Sequence, residues 1–369
     1  MCTAITFLGE DFYFGRTLDD TVSRNEEGVI TPRNYPFAFR HMGEMQNHYA
    51  IIGMACVGRS GNEPAGSPVG KANKWEIDRQ NSGGKEPSPI GREYPLYYEA
   101  VNEKGLAMAG LNFVGNAFYQ DFEGAEPGQE YVAQFELIPW ILGQCATVEE
   151  ARRRLERLTV TGDAFAPGLP PAQLHWLLAD KKEAVTIEAV REGLRVYENL
   201  AGVLTNNPPF LEQMFQLNNY MHISPREPEN LFCDRLPLKM YSRGMGALGL
   251  PGDLSSQSRF VRAVFTRMHA VAGSSEEENV SQFFHILGTV DQTKGCCQVG
   301  ENDYEMTIYT SCCNTERGIY YYTTYGNRQI TAVDMHRENL DGASLLRYPL
   351  IGGEQIRRQN ENSCGDRRE

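Results

Sequence analysis

Cys2 is followed at once by an apolar run, Thr3-Ala4-Ile5-Thr6-Phe7-Leu8, whose β-branched and aromatic residues predict a strand. Loss of Met1 would leave a cysteine carrying both a thiol and a free α-amino group. With an ordinary pKa of about 7.7–8.0, that amine can take the thiol's proton near neutral pH, so no histidine partner is required. The plain alternative is an initiator Met-Cys dipeptide whose cysteine is buried and inert, because free Cys is usually a small hydrophobe. Other polar residues along the chain decide between the two.

The 369 residues, 41% hydrophobic and 22% charged, are enough for a large core in one big domain or two. No apolar run of about 18 residues is present, and the N-terminus lacks the basic segment and apolar stretch of a signal or lipoprotein leader. A cytoplasmic protein is expected. The net charge of −13 argues against nucleic acid and anionic membrane as partners, since both require a basic face. Nine cysteines, odd in number and scattered, do not form a disulfide framework. Cys296-Cys297 and Cys312-Cys313 are adjacent pairs, and neighbours on a strand point to opposite faces, unlike Cys-x-x-Cys spacing. No metal and no cofactor are expected, and His175, beside Trp176 in an apolar strand, reads as a satisfied core residue.

Strand-forming segments dominate the first third: 12–16, 49–54 and the continuous apolar run 105–113. From Gly58 to about Glu93 the composition turns to Gly, Pro, Ser, Asn and Lys, which predicts a long surface loop. Apolar spacing predicts a helical stretch over 131–158, then a meander over 173–178, 184–188 and 194–197. Helices are predicted at 209–221, 258–271 and 278–287, and a last hairpin at 306–312 and 318–325. This order predicts an α+β fold of antiparallel sheets flanked by helices. The polar tail 352–369 is expected to fray.

Four short polar islands interrupt these apolar surroundings. Gly15-Arg16-Thr17-Leu18-Asp19 carries a cation and an anion three residues apart, and Asn112 ends the run Ala109-Gly110-Leu111. Thr205-Asn206-Asn207-Pro208 follows Gly202-Val203-Leu204, and Arg259 stands just after Pro251-Gly252-Asp253. Each alone reads as a surface ion pair, a strand end, an Asx turn before proline or a helix start.

Together with Cys2 these islands carry a resemblance. The chain resembles the choloylglycine hydrolase family, which contains bile salt hydrolases and penicillin V acylases among the N-terminal nucleophile (Ntn) hydrolases. The likeness runs from Met1-Cys2-Thr3 through Asn102-Glu103-Lys104-Gly105-Leu106, Ala109-Gly110-Leu111-Asn112-Phe113 and Leu174-His175-Trp176. It continues through Gly202 to Asn206, Gly249-Leu250-Pro251-Gly252-Asp253, Ser258-Arg259-Phe260, Tyr309-Thr310-Ser311-Cys312 and Gly318 to Tyr322.

The resemblance implies a single Ntn-hydrolase domain over 2–351, a four-layer αββα sandwich, assembled as a homotetramer. It implies that Cys2 attacks an amide carbonyl, that Arg16 favours its thiolate, and that Asp19 orients the α-amine. It further implies that the Asn206 side chain and the Asn112 backbone N–H stabilise the oxyanion, and that Arg259 completes the charge network. Leu18, Phe165 and Leu169 fall where the resemblance expects acyl-pocket residues, and Tyr98 belongs to the same substrate-binding set. The segment 58–93 looks like an insertion at the pocket rim, and Tyr97 to Val101 departs from the smaller residues usual there. The implied reaction is hydrolysis of glycine- or taurine-conjugated bile acids through a thioester. Asn112 favours this over penicillin V acylase activity, where resembling enzymes place tyrosine, and acyl-homoserine lactone cleavage stays open. A silent binding protein would have lost a polar island. A papain-like enzyme would need a histidine in the matching blocks, and only His175, read as a core residue, stands in one.

Overall fold

The computed structural model describes residues 1–59 and 93–360. Its first part is strand-rich, as the sequence predicts: β1 (Cys2–Leu8), β2 (Phe12–Asp20), β3 (Glu27–Thr31), β4 (Phe37–Phe39), β5 (Gly43–Met45), β6 (Ile51–Arg59), β7 (Glu93–Asn102) and β8 (Ala107–Asn112). Then come β9 (Glu130–Ala133), the short helices α1 (Leu137–Leu142) and α2 (Val148–Leu155), and β10 (Leu158–Thr161). The helical reading of 131–158 is therefore wrong at its edges and its middle. Tyr131–Ala133 pairs in parallel with Thr159–Thr161, residues rich in β-branched side chains that favour an extended chain. A new N-terminus forms at Thr147, whose hydroxyl accepts from the Glu150 N–H at 3.2 Å.

The meander appears where expected, as β11 (Leu174–Ala179), β12 (Ala184–Val190) and β13 (Gly193–Glu198), followed by the short β14 (Val203–Leu204). Helices α3 (Phe210–Gln216), α4 (Ser256–His269) and α5 (Glu276–Gly288) match the apolar spacing. The remaining strands are β15 (Gln298–Gly300), β16 (Asp303–Tyr304), β17 (Met306–Asn314), β18 (Ile319–Thr324), β19 (Asn327–Asp334) and β20 (Leu346–Pro349). The β17–β18 hairpin is thus not the last. Both later strands lie at sheet edges, where every residue but Asn327 is partly buried or exposed.

Two large antiparallel sheets result, with orders β14-β1-β2-β17-β18-β19 and β13-β12-β11-β8-β7-β6-β3-β20. Helices α4 and α5 cover the first, and α1 packs on β7 and β8 of the second. The layers are helix, sheet, sheet, helix, the predicted αββα sandwich. Sheets buried on both faces divide their residues by alternation. On β8, Ala107, Ala109 and Leu111 join the cluster between the sheets, while Met108 joins the one under α1 with Leu137, Ile138 and Ile141. At Gly15 strands β2 and β17 approach so closely that a Cβ would lie 2.1 Å from the Ser311 carbonyl oxygen.

Most of the expected 58–93 insertion lies outside the described residues. Of its described residues, Gly58 and Arg59 end β6 and Glu93 begins β7, with Arg59 paired to Glu93. Of the C-terminal tail, residues 352–360 are exposed and carry neither helix nor strand, and 361–369 lie outside the described residues.

Candidate active site

The register of β1 on β2 sets Cys2 opposite Leu18 and Ala4 opposite Arg16. Cross-strand partners share a face, so the thiol, Leu18 and the Arg16 guanidinium project together between the sheets, and Asp19 lies on the other face of β2. Cys2 is buried and borders a cavity of about 400 Å³. Leu18, Leu96, Tyr98, Phe135, Phe165 and Leu169 give the cavity an apolar wall, and Arg16, Asp19 and Asn112 also reach it. Every substrate-binding residue expected from sequence therefore borders the space that holds Cys2.

Arg16 is buried and extends across the gap between sheets. Its Nη1 donates to the Gly110 carbonyl at 2.5 Å and to the Tyr98 carbonyl at 3.2 Å, and its Nε lies 3.8 Å from Glu99 Oε2. Burial pulls its pKa down, but the charges of Cys2, Tyr309, Glu99 and Asp19 outweigh this and hold it above the ordinary value.

On the other side of the thiol, Arg259 rises from the first turns of α4, fully buried. Its Nη1 donates to the Cys2 carbonyl at 2.6 Å and to Thr3 Oγ1 at 2.7 Å, and its Nη2 to Asn206 Oδ1 at 2.8 Å. Burial pushes this guanidinium below its ordinary value despite Asp19 and Cys2. The Asp19 carboxylate accepts from Thr307 Oγ1 at 2.7 Å, Gln292 Nε2 at 3.1 Å and Thr17 Oγ1 at 3.2 Å. Burial raises its pKa, with Arg259 opposing.

With Met1 attached, the Cys2 nitrogen is a peptide N–H, and it donates to Asn206 Oδ1 at 2.9 Å rather than to Asp19. The α-amine belongs to Met1, which donates to the Asp19 carbonyl at 2.5 Å and pairs with the Glu305 carboxylate. Burial lowers the pKa of that amine, but Cys2, Asp19 and Glu305 together carry it above the ordinary value.

Asn206 Nδ2 donates one hydrogen to the Asn112 carbonyl at 2.9 Å. Phe113 donates its backbone N–H to the Gln173 carbonyl at 2.7 Å, on the β11 side. Alternation along a strand then turns the N–H of Asn112 the other way, toward β7, whose pairing with β8 has ended at Glu99↔Ala109. His175 is buried, with Nε2 2.9 Å from the Thr205 carbonyl and Nδ1 3.2 Å from Glu188, the core histidine that the sequence suggests.

Sequence reasoning missed Glu99 and Glu305. The signal for Glu99 is a lone carboxylate within the strand-forming Tyr97-Tyr98-Glu99-Ala100-Val101; Glu305 has none beyond its place just before β17. Among the described residues no group of three or more His, Cys, Asp or Glu side chains is arranged to hold a metal ion.

A family model for linear amide C–N hydrolases of the choloylglycine hydrolase family matches residues 2–63 and 89–348. A bile salt hydrolase/transferase from Lactiplantibacillus plantarum is 46% identical over 350 residues, covering 95% of this chain and 97% of that protein. One from Clostridium perfringens is 30% identical, covering 94% and 96%. Among solved structures, the C2A mutant of the conjugated bile acid hydrolase from Clostridium perfringens superposes with a TM-score of 0.81 at 29% identity, covering 98% of this chain and all of that one. Penicillin V acylase from Agrobacterium tumefaciens shares the fold, with a TM-score of 0.69 at 18% identity and coverage of 95% and 92%. The sandwich, the cavity-facing Cys2 and these matches agree: the chain belongs to the choloylglycine hydrolase family of linear amide C–N hydrolases.

Proposed function

We propose that this chain hydrolyses the amide bond of glycine- or taurine-conjugated bile acids, with Cys2 as nucleophile once Met1 is removed. The observation that carries this reading is Cys2 at the polar end of an apolar cavity of about 400 Å³, within the size range of small-molecule sites. The 46% identity to a bile salt hydrolase/transferase supports the same substrate class.

In this mechanism removal of Met1 turns the Cys2 nitrogen into an amine beside Asn206 Oδ1. The amine takes the thiol's proton, and sulfur attacks the substrate carbonyl carbon. Arg16 and Arg259 favour the attacking thiolate through their positive charge. The oxyanion accepts from the second Asn206 amide hydrogen and from the Asn112 backbone N–H. Asp19, tied down by Thr307, Gln292 and Thr17, orients the amine. The amine then passes its proton to the leaving nitrogen, the C–N bond breaks, and a thioester remains. Water, deprotonated by the same amine, hydrolyses the thioester and restores the thiol. Leu18, Tyr98, Phe165 and Leu169 hold the acyl group.

The same reading includes a homotetramer in the cytoplasm. Supporting assembly, the stretch between α3 and α4 exposes Leu231 (89%), Phe232 (83%) and Tyr241 (81%), apolar area that a subunit contact would cover. Supporting a reducing compartment, the cysteines among the described residues are all unpaired. No helix among the described residues is long and apolar enough to cross a membrane.

The test is a panel of glycocholate, taurocholate, penicillin V and a long-chain acyl-homoserine lactone. A conjugated bile acid gives the highest kcat/KM. Faster turnover of penicillin V or the lactone than of either conjugate would overturn the substrate assignment.

A further inference from the structure

We propose that Glu99 is a positioning residue: its carboxylate fixes the Arg16 guanidinium at the Cys2 end of the cavity and offsets part of its charge. It thereby sets the pH at which the Cys2 thiol becomes reactive. This rests on the reading of Cys2 as nucleophile and Arg16 as its cationic neighbour.

Glu99 belongs to β7 of the second sheet, yet its partners come from the first. Tyr309 donates to its Oε2 at 2.7 Å, Ser311 to its Oε1 at 2.9 Å, and Tyr320 also donates to Oε1. Ser311 Oγ in turn accepts the Arg16 backbone N–H at 3.2 Å. A buried carboxyl that accepts three hydroxyl donors beside a guanidinium is surrounded as an anion is. Burial still pushes the Glu99 carboxyl above its ordinary value, with Arg16 and the three hydroxyls opposing, so its charge depends on these partners.

Stability alone is a poor reason for such a group, because a buried ion pair is often no better than a packed apolar replacement. Its position supplies another. The Arg16 guanidinium donates to the carbonyls of Thr17, Tyr98 and Gly110, and Glu99, 3.8 Å from its Nε, is the carboxylate that pairs with its charge. The groups facing Glu99 are Arg16 from β2, Tyr309 and Cys313 from β17, and Tyr320 from β18. Those facing the thiol are Arg16 from β2, Arg259 from α4 and the α-amine of the chain terminus, beside which stand Asp19 and Glu305. Replacing Glu99 by a neutral group removes the negative charge that offsets Arg16, and the sulfur then meets a stronger positive field.

The test is the pH profile of Cys2 alkylation by iodoacetamide, read by mass on the Met1-free enzyme. Glu99→Gln moves the midpoint down by about half to one pH unit, the scale of one partly screened charge. In an Arg16→Leu background the same exchange moves it less than half as far. Glu99→Asp, which keeps the charge, stays nearer the wild-type midpoint than Gln does, whereas a packing role would favour the isosteric Gln. An unmoved midpoint in folded Glu99→Gln, or equal shifts in both backgrounds, overturns the proposal. Should Glu99→Gln fail to fold, Tyr320→Phe withdraws one donor and gives a smaller downward shift, and no shift there overturns it equally. The reading beneath is checked apart from this: Cys2→Ala that still hydrolyses glycocholate defeats the nucleophile assignment whatever Glu99 does.

Discussion

Asn206 Oδ1 accepts the backbone N–H of Cys2 at 2.9 Å, while the Nδ2 of the same side chain donates to the Asn112 carbonyl at 2.9 Å. One short side chain therefore ties the head of β1 to the end of β8 in the facing sheet. Arg259 Nη2, 2.8 Å from the same Oδ1, fixes which end of the amide is oxygen. The Cys2 nitrogen, the amine of the proposed mechanism, is thus oriented while Met1 is still attached, and the Asn206 amide nitrogen is turned toward Asn112.

In the proposed mechanism Asn206→Ala removes one of two oxyanion donors and leaves the thiol. We expect kcat to fall by about 10²–10³ with a modest change in KM, because that contact strengthens mainly in the transition state. Steady-state kinetics with glycocholate check this, and a defect confined to KM would mean that Asn206 binds the ground state.

Phe165 walls the cavity and packs edge-on against Phe135, with ring centroids 5.3 Å apart. Phe165→Ala removes roughly 1.5–3 kcal/mol of apolar contact, so kcat/KM for conjugated bile acids should fall by about tenfold or more. Alkylation of Cys2 by a small reagent should not slow. A parallel loss of both would show that Phe165 supports the site's structure instead.

Gly15→Ala tests the close approach of β2 and β17. The added Cβ would meet the Ser311 carbonyl oxygen at 2.1 Å, and relieving it must part the strands beside Arg16. Destabilisation of about 1–3 kcal/mol or more is expected, with activity falling alongside. Unchanged thermal unfolding would contradict that packing.

Burial raises the Glu136 carboxyl from 4.5 to about 7, against N–H donors from Arg40 at 2.9 Å and Ala133 at 3.1 Å. A raised carboxyl contributes stability that is complete below pH about 4.5 and is lost as pH rises through about 7. Across that window the wild type should lose about 3 kcal/mol relative to Glu136→Gln, at about 1.4 kcal/mol per pKa unit. Thermal unfolding of both proteins at several pH values measures the difference, and parallel curves would rule it out.

Much of the sandwich was legible because β-strands repeat every two residues and α4 and α5 repeat at helical spacing, both local patterns. The stretch 131–158 misled because α1, the buried face of α2 (Val148, Ala151, Leu155) and the short pair β9–β10 place apolar residues close together in sequence. Cys2 stood out by its place after Met1, and Arg16, Asp19, Asn112, Asn206 and Arg259 lay in polar islands whose roles only the family resemblance implied; Leu18, Tyr98, Phe165 and Leu169 do border one cavity. Glu99 was hidden for a different reason. Its partners Tyr309 and Tyr320 lie more than two hundred residues away, in the other sheet, and no local pattern carries that meeting. The pairing of Glu305 with the chain terminus is equally remote.

The central claim is that the nucleophile is Cys2 with its own free amine. Acid-quenching the enzyme during glycocholate turnover and weighing its N-terminal peptide tests this most directly. The peptide should begin at Cys2 and carry the cholyl group as a thioester. A fully active preparation that retains Met1, or an acyl group bound at any other residue, would contradict it.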